Sequence, residues 1–98
     1  MPLSQKQKRH LKQIAHDKKP VVIVGSAGLT ENVINEIDSS IAHHELIKIR
    51  LNVSDREAKQ KMAQDIADTV KAELVYTIGH IGIYYRAAET PVIILPKS

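Results

Sequence analysis

Residues 21–30, Val-Val-Ile-Val-Gly-Ser-Ala-Gly-Leu-Thr, constrain the fold more than any other stretch. An apolar strand must pass through a loop with glycine at both ends and continue directly into a helix. Val21 to Val24 are too rich in β-branched residues for a short helix. With no polar residue among them, they predict a strand buried on both faces in the centre of a sheet. Thr30 is the expected N-cap of the helix. Glu31 falls in its first turn at the positive end of the dipole, and Leu29 and Ile34 take the N′ and N4 positions of a hydrophobic staple.

The loop itself, Gly25-Ser26-Ala27-Gly28, limits the chemistry. A dinucleotide fingerprint needs a further glycine where Ala27 or Thr30 stands, and a Walker loop needs Gly-Lys-Ser/Thr where Gly28 is followed by Leu29. What remains is a GxxG turn at a helix start. It can serve as a plain connection, or as the backbone clamp that KH-type modules close on an RNA strand.

The charge distribution bears on that choice. Residues 1–19 hold Lys6, Lys8, Arg9, Lys12, Lys18 and Lys19 against Asp17 alone, a net +5, while residues 20–98 sum to −2. A positive excess confined to one segment points to a polyanionic partner. Ser4 and Gln7 form a capping-box pattern that starts a first helix near residue 5 and carries it to about His16. Its wheel gathers Leu3, Leu11, Ile14 and Ala15 on one side and Lys8, Arg9 and Lys12 on the other.

Beyond the loop, a second helix from Glu31 to about Ala42 turns Val33, Ile34, Ile37 and Ile41 inward, and His43, His44 and Glu45 form a polar turn at its end. From Leu46 the period becomes two: Ile47, Ile49, Leu51 and Val53 alternate with Lys48, Arg50 and Asn52, predicting a strand with one buried and one basic face. Ser54 and Glu57 suggest a capping box opening a third helix at Asp55, with Ala58, Met62, Ile66 and Val70 inward and Glu57–Lys61 and Asp68–Lys71 as surface pairs. Strands follow over 74–78 and 83–86, joined around Gly79-His80-Ile81-Gly82, whose place between strands marks it as a hairpin. Val92–Leu95 can add a last short strand.

The fold class is α/β: one domain over residues 1–98, ordered α-β-α-β-α-β-β, with a mixed four-stranded sheet in which helix-separated strands run parallel. Without cysteine there are no structural disulfides or thiolate metal sites. No apolar run approaches the ~18 residues of a membrane span, and the basic N-terminus has no signal-peptide core. A soluble cytoplasmic chain with no membrane partner, metal or cofactor is expected. With Tyr76, Tyr84 and Tyr85 as the only aromatics, an aromatic base-stacking platform is not indicated.

Four motifs in order, Lys19-Pro20-Val21-Val22, Gly25-Ser26-Ala27-Gly28-Leu29-Thr30, His44-Glu45-Leu46-Ile47-Lys48 and Ile78-Gly79 with Tyr85-Arg86, resemble the CRM domain (chloroplast RNA splicing and ribosome maturation) in its stand-alone bacterial YhbY-like form. The resemblance spans almost the whole chain. It implies a fold similar to the C-terminal domain of translation initiation factor 3 and association with precursor large-subunit ribosomal RNA and its particles. It also implies RNA binding through Gly25, Ser26, Ala27 and Gly28 with basic neighbours on the first helix (Lys8, Arg9, Lys12) and at Lys19, Lys48, Arg50 and Arg86. Many relatives carry lysine inside the first loop and after the later glycine, where this chain has Ser26, Ala27 and His80. Two other readings compete. A protein-interaction adaptor could touch RNA incidentally. A phosphate-ester enzyme would have to rely on His16, His44 or His80 with a lone acid, since no base-and-nucleophile pairing is recognisable. The expected function is therefore binding without turnover and without a small-molecule substrate.

Overall fold

The first helix, α1 (Gln5–Ala15), begins at a reciprocal cap. Ser4 Oγ accepts from the Gln7 N–H at 3.1 Å, and Gln7 Oε1 accepts from the Ser4 N–H at 3.0 Å, satisfying two donors that a helix start leaves unpaired. In the computed structural model, which describes residues 3–97, the chain continues through β1 (Pro20–Val24), α2 (Glu31–His44), β2 (Leu46–Leu51), α3 (Arg56–Val70), β3 (Glu73–Ile78) and β4 (Ile81–Tyr85). The strands form one mixed sheet in the order β1-β2-β4-β3, with β1 and β2 parallel and the other neighbours antiparallel. Three helices and this sheet make the expected single α/β domain.

Alternation along the strands divides the interior in two. On one face Val22, Val24, Ile47, Ile49, Leu51 and Tyr84 pack with Ile37 and Ile41 of α2 and Ala63, Ile66, Ala67 and Val70 of α3. On the other, Leu11 and Ala15 of α1 cover Leu46, Val75, Ile83 and Tyr85. Tyr84 locks the larger cluster: its hydroxyl donates to the Ala63 carbonyl at 2.9 Å, and burial pushes its pKa up. The ring lies over Gly82, where an added Cβ would sit 2.7 Å from Tyr84 Cε1, so glycine at this strand position makes room for the tyrosine.

Several expectations are corrected. β1 is an edge strand, not a central one, and Val21 and Ile23 are 44% and 60% exposed. α1 packs against β2, β3 and β4, and the β1 face opposite α2 is left largely open. Asp55, not Ser54, caps α3, its Oδ2 accepting from the Ala58 N–H at 2.8 Å. Ala58 is exposed, and Ala63, Ile66, Ala67 and Val70 form the buried stripe, with Met62 at its margin. The surface pair on α3 is Lys61–Asp65 at 3.2 Å, and Asp68 is held by Gln64. His43 and His44 belong to the last turn of α2, and Val53 lies beyond the end of β2.

The largest departure is at the C-terminus, where Val92–Leu95 forms no strand. The segment is instead gathered onto Glu45, which reads in the sequence as part of a polar turn but is 3% exposed with φ of 63°. Glu45 Oε1 accepts from the Val92 and Ile93 N–H groups at 2.8 and 3.0 Å, and Oε2 from the Ala88 N–H at 2.9 Å. Successive N–H groups of a strand point to opposite sides. Two neighbours aimed at one oxygen therefore cannot continue a sheet. The strap places Ile93 and Leu95 against the α1-side core, and the Pro96 carbonyl accepts from Gln7 Nε2 at 3.0 Å.

Candidate nucleic-acid interface

The loop after β1 is a tight turn, with the Gly28 N–H donating to the Gly25 carbonyl at 3.0 Å. Gly28 has φ of 74°, in the left-handed region where a side chain is strained, whereas Gly25 does not. A Cβ at either glycine would meet nothing within 4 Å, so both face open space. Among the described residues, the N–H groups of Ser26 and Ala27 donate to no other residue. Thr30 caps α2 as expected, its Oγ1 accepting from the Val33 N–H at 3.2 Å. Glu31 opens the helix, so its carboxylate offsets part of the positive potential there.

The register puts this loop at one end of the sheet together with the β3–β4 turn. Asn52 N–H donates to the Val24 carbonyl at 2.8 Å, and the Leu51 N–H donates to the His80 carbonyl. Just inside this end a row of register partners crosses all four strands: Ile23 opposite Arg50, Arg50 opposite Ile81, and Ile81 opposite Ile78. The row lies on the α1 side of the sheet, with Ile81 packed against the core under the helix and Ile23, Arg50 and Ile78 exposed. The next row inward is Lys48–Ile83–Tyr76, whose Ile83 is buried in that core. There Lys12 Nζ stands 3.7 Å from the centroid of the Tyr76 ring, and Lys48 Nζ donates to the His16 carbonyl at 3.3 Å.

The anticipated basic residues therefore separate. Lys8, Arg9 and Lys12 border the open sheet along α1, and Arg9, Lys12, Gln13 and His16 line a shallow groove there. Arg50 projects from the middle of the row, its Nε donating to Asn52 Oδ1 at 3.1 Å. Lys48 is partly buried and committed to the end of α1. Lys19 is exposed immediately before β1, at the far end of that strand from the loop. Arg86 stands apart from all of them. It follows β4 at the opposite end of the sheet, and its guanidinium donates to Asp38 Oδ1 and the Val70 carbonyl, both at 2.7 Å, tying α2 to α3.

Acidic side chains are segregated by face, whereas basic ones also lie behind the sheet, at Arg56, Lys59 and Lys61 of α3. α1, β1, β2 and β4 contain no acidic residue, and the one acid in a strand, Glu73, opens β3 at the end away from the loop. Glu31, Glu36, Asp38, Glu57, Asp65 and Asp68 all belong to α2 and α3, behind the sheet. Among the described residues no three His, Asp or Glu side chains are grouped to hold a metal ion, and no helix is long and apolar enough to cross a membrane. Sequence reasoning found the basic helix and the alternation of β2. It missed the apolar members of the open row, because a strand's partners and register leave no local trace in the letters.

Comparison with known proteins gives a consistent set of matches. The family model of the CRS1 / YhbY (CRM) domain matches residues 3–86. A Haemophilus influenzae protein named RNA-binding protein is 48% identical over 96 residues, covering 98% of this chain and 97% of the relative. A Pseudomonas aeruginosa protein named as a probable RNA-binding protein is 36% identical, covering 93% of this chain and 88% of the relative. The solution structure of SAV1595 from Staphylococcus aureus, described as an RNA-binding candidate, superposes with a TM-score of 0.84 at 35% identity, over 96% of this chain and 99% of that one.

Proposed function

Because the chain belongs to the CRS1 / YhbY (CRM) domain family, we propose that it is a non-catalytic RNA-binding protein that acts in the cytoplasm, on precursor large-subunit ribosomal RNA during assembly of that subunit. The observation that carries the RNA contact is the segregation of acids, with those of α2 and α3 behind the sheet and Lys8, Arg9, Lys12 and Arg50 in front with no acid on their elements. An RNA strand approaching the front meets cations along α1 and exposed backbone at Gly25, Ser26, Ala27 and Gly28. Release of counterions as phosphates are neutralised supplies the affinity. Lys48 and Lys19 extend the basic surface toward the start of β1. Arg86, held by Asp38 and Val70, acts in the fold and is left out of this surface.

Binding without turnover is supported by the relatives, which are named as RNA-binding proteins. The assembly role is tested by cross-linking bound RNA in cells and sequencing it, with gradient sedimentation in parallel. The expected result is enrichment of precursor large-subunit RNA and sedimentation with large-subunit precursors. Recovery only in free fractions, or only with translating ribosomes, would refute it. The adaptor reading draws support from the free edge of β1, where Val21 and Ile23 are exposed. It predicts that partners stay bound after ribonuclease digestion.

A further inference from the structure

A cluster of exposed apolar side chains sits within the basic front face. Of the large hydrophobic residues exposed in the described chain, Ile23, Tyr76, Ile78 and Val21 lie on this face, at 60%, 41%, 60% and 44% exposure, and Ile81, partly buried against the α1-side core, lies between Ile23 and Ile78. Exposed apolar residues scattered singly need no explanation, but these are aligned by strand pairing. Ile23, Arg50, Ile81 and Ile78 form one continuous row across the sheet. Three strand spacings of about 4.8 Å make it roughly 14 Å wide. Only Ile81 of the row packs against the α1-side core, and the Gly25–Gly28 turn follows the end of β1 beside Ile23.

We propose that this row is a platform on which two or three unpaired RNA bases lie flat, so that the protein takes single-stranded RNA in preference to duplex. The proposal rests on the RNA-binding reading above and specifies the form of RNA. A duplex keeps its base faces stacked inside the helix and offers only phosphates, sugars and groove edges. It could use Lys8, Arg9 and Lys12 but would leave the isoleucines unserved. A single strand offers both parts: phosphates for the cations of α1 and the loop, and base faces for Ile23, Ile81 and Ile78. Arg50 in the middle of the row presents a planar cation, which stacks on bases as well as on aromatic rings. Lys12 over Tyr76 already forms such a pair at the platform's border. Four-stranded sheets elsewhere hold two or three stacked bases on their open face, and the width here is sufficient for that number. An acidic or apolar peptide is the competing occupant. The turn facing open space at the platform's end and the line of cations along α1 favour a phosphate-bearing strand.

The test uses the full chain, a 12-nucleotide RNA without self-complementarity, and the duplex formed by the same RNA with its complement. Ile23→Thr with Ile78→Thr keeps β-branching at two exposed strand positions, so the fold is retained. The double variant should bind the single strand roughly tenfold more weakly, with the salt dependence unchanged because no phosphate contact is removed, and should bind duplex as wild type does. In wild-type protein the Ile23, Ile78 and Ile81 methyl resonances should move upfield when the single strand is added, a ring-current effect that phosphate contacts do not produce. Unchanged single-strand affinity with unmoved methyls would overturn the platform, as would an equal loss for duplex. A double variant that keeps RNA but loses a ribonuclease-resistant protein partner would assign the row to protein instead. Failure of wild-type protein to bind either RNA would refute the RNA-binding reading itself.

Discussion

Glu45→Gln isolates the group that joins the middle of the chain to its end. The carboxylate receives three backbone N–H groups, from Ala88, Val92 and Ile93. Glutamine keeps one oxygen, which can still accept from Val92 and Ile93, but it turns an NH2 group toward the Ala88 N–H, setting donor against donor. Loss of charge from two hydrogen bonds and one buried unsatisfied donor should together cost about 3 kcal/mol. For a domain of this size, each kcal/mol lowers Tm by roughly 4–8 °C, so the variant should melt on the order of 12–24 °C lower near neutral pH. The pH dependence has a defined sign. In the folded protein the Ala88 N–H, more than any other group, holds the Glu45 pKa below its ordinary value of 4.5; desolvation opposes this, and the Ile93 and Val92 N–H groups assist. The unfolded chain therefore takes up the proton first as the solution is acidified. Glu45 contributes fully above the unfolded value and loses that contribution as pH falls through the lower folded one. Thermal unfolding followed by circular dichroism between about pH 3 and pH 7 should show the two melting temperatures converging on the acid side. A gap under about 4 °C at neutral pH, or one that stays constant across the range, would refute this account of the latch.

Three further outcomes are expected. Lys8, Arg9 and Lys12 changed together to Ala should flatten the dependence of log K on log salt by roughly 2 for single-stranded RNA, at about 0.7 per phosphate, with little change in discrimination between sequences; parallel titration lines would make α1 an ordinary solvated helix. Gly28→Asp should leave the circular dichroism spectrum close to wild type, because aspartate tolerates a positive φ better than most residues. It should still weaken RNA binding severely by placing a carboxylate at the turn, as a filter-binding assay would register. Arg86→Ala should cost about 1.5–3 kcal/mol in urea unfolding, since it removes charge-assisted bonds to Asp38 and Val70, while RNA affinity stays within twofold or so of wild type.

Much of this architecture is legible in the letters because it is set locally. The Ser4–Gln7 box and the Thr30 cap act within a few residues, and each lies where its spacing indicates. The basic face of β2 is legible too, since alternation alone exposes Arg50. What the letters conceal depends on which element covers which. Val21–Val24 has the composition of a strand buried on both faces, yet whether a helix lies over the second face depends on where α1 docks, and it docks over the other three strands. Asp55 and Ser54 are adjacent and both competent to cap, so the choice falls to the packing of α3. Glu45 and its donors are more than forty residues apart, and no periodicity connects them. For the candidate interface, the cations are visible as a segment bias, whereas the apolar row between them exists only through pairing across four strands.

The latch at Glu45 also bears on where this module begins and ends as a unit of inheritance. The family model matches only as far as residue 86, although the Haemophilus influenzae relative aligns over 98% of the chain, and all three donors to the buried carboxylate, with the carbonyl that receives Gln7 Nε2, lie at residues 88–96. A polypeptide that borrowed only the recognisable portion would inherit an anion in its interior with nothing to neutralise it, and a bare flank beneath α1. Any larger protein that carries such a domain internally must therefore provide, in the linker that follows, two successive backbone amides turned to the same side and an apolar pair to cover α1. Apart from that apolar pair, the sequence of the linker is free to vary, because the latch reads main chain rather than side chain.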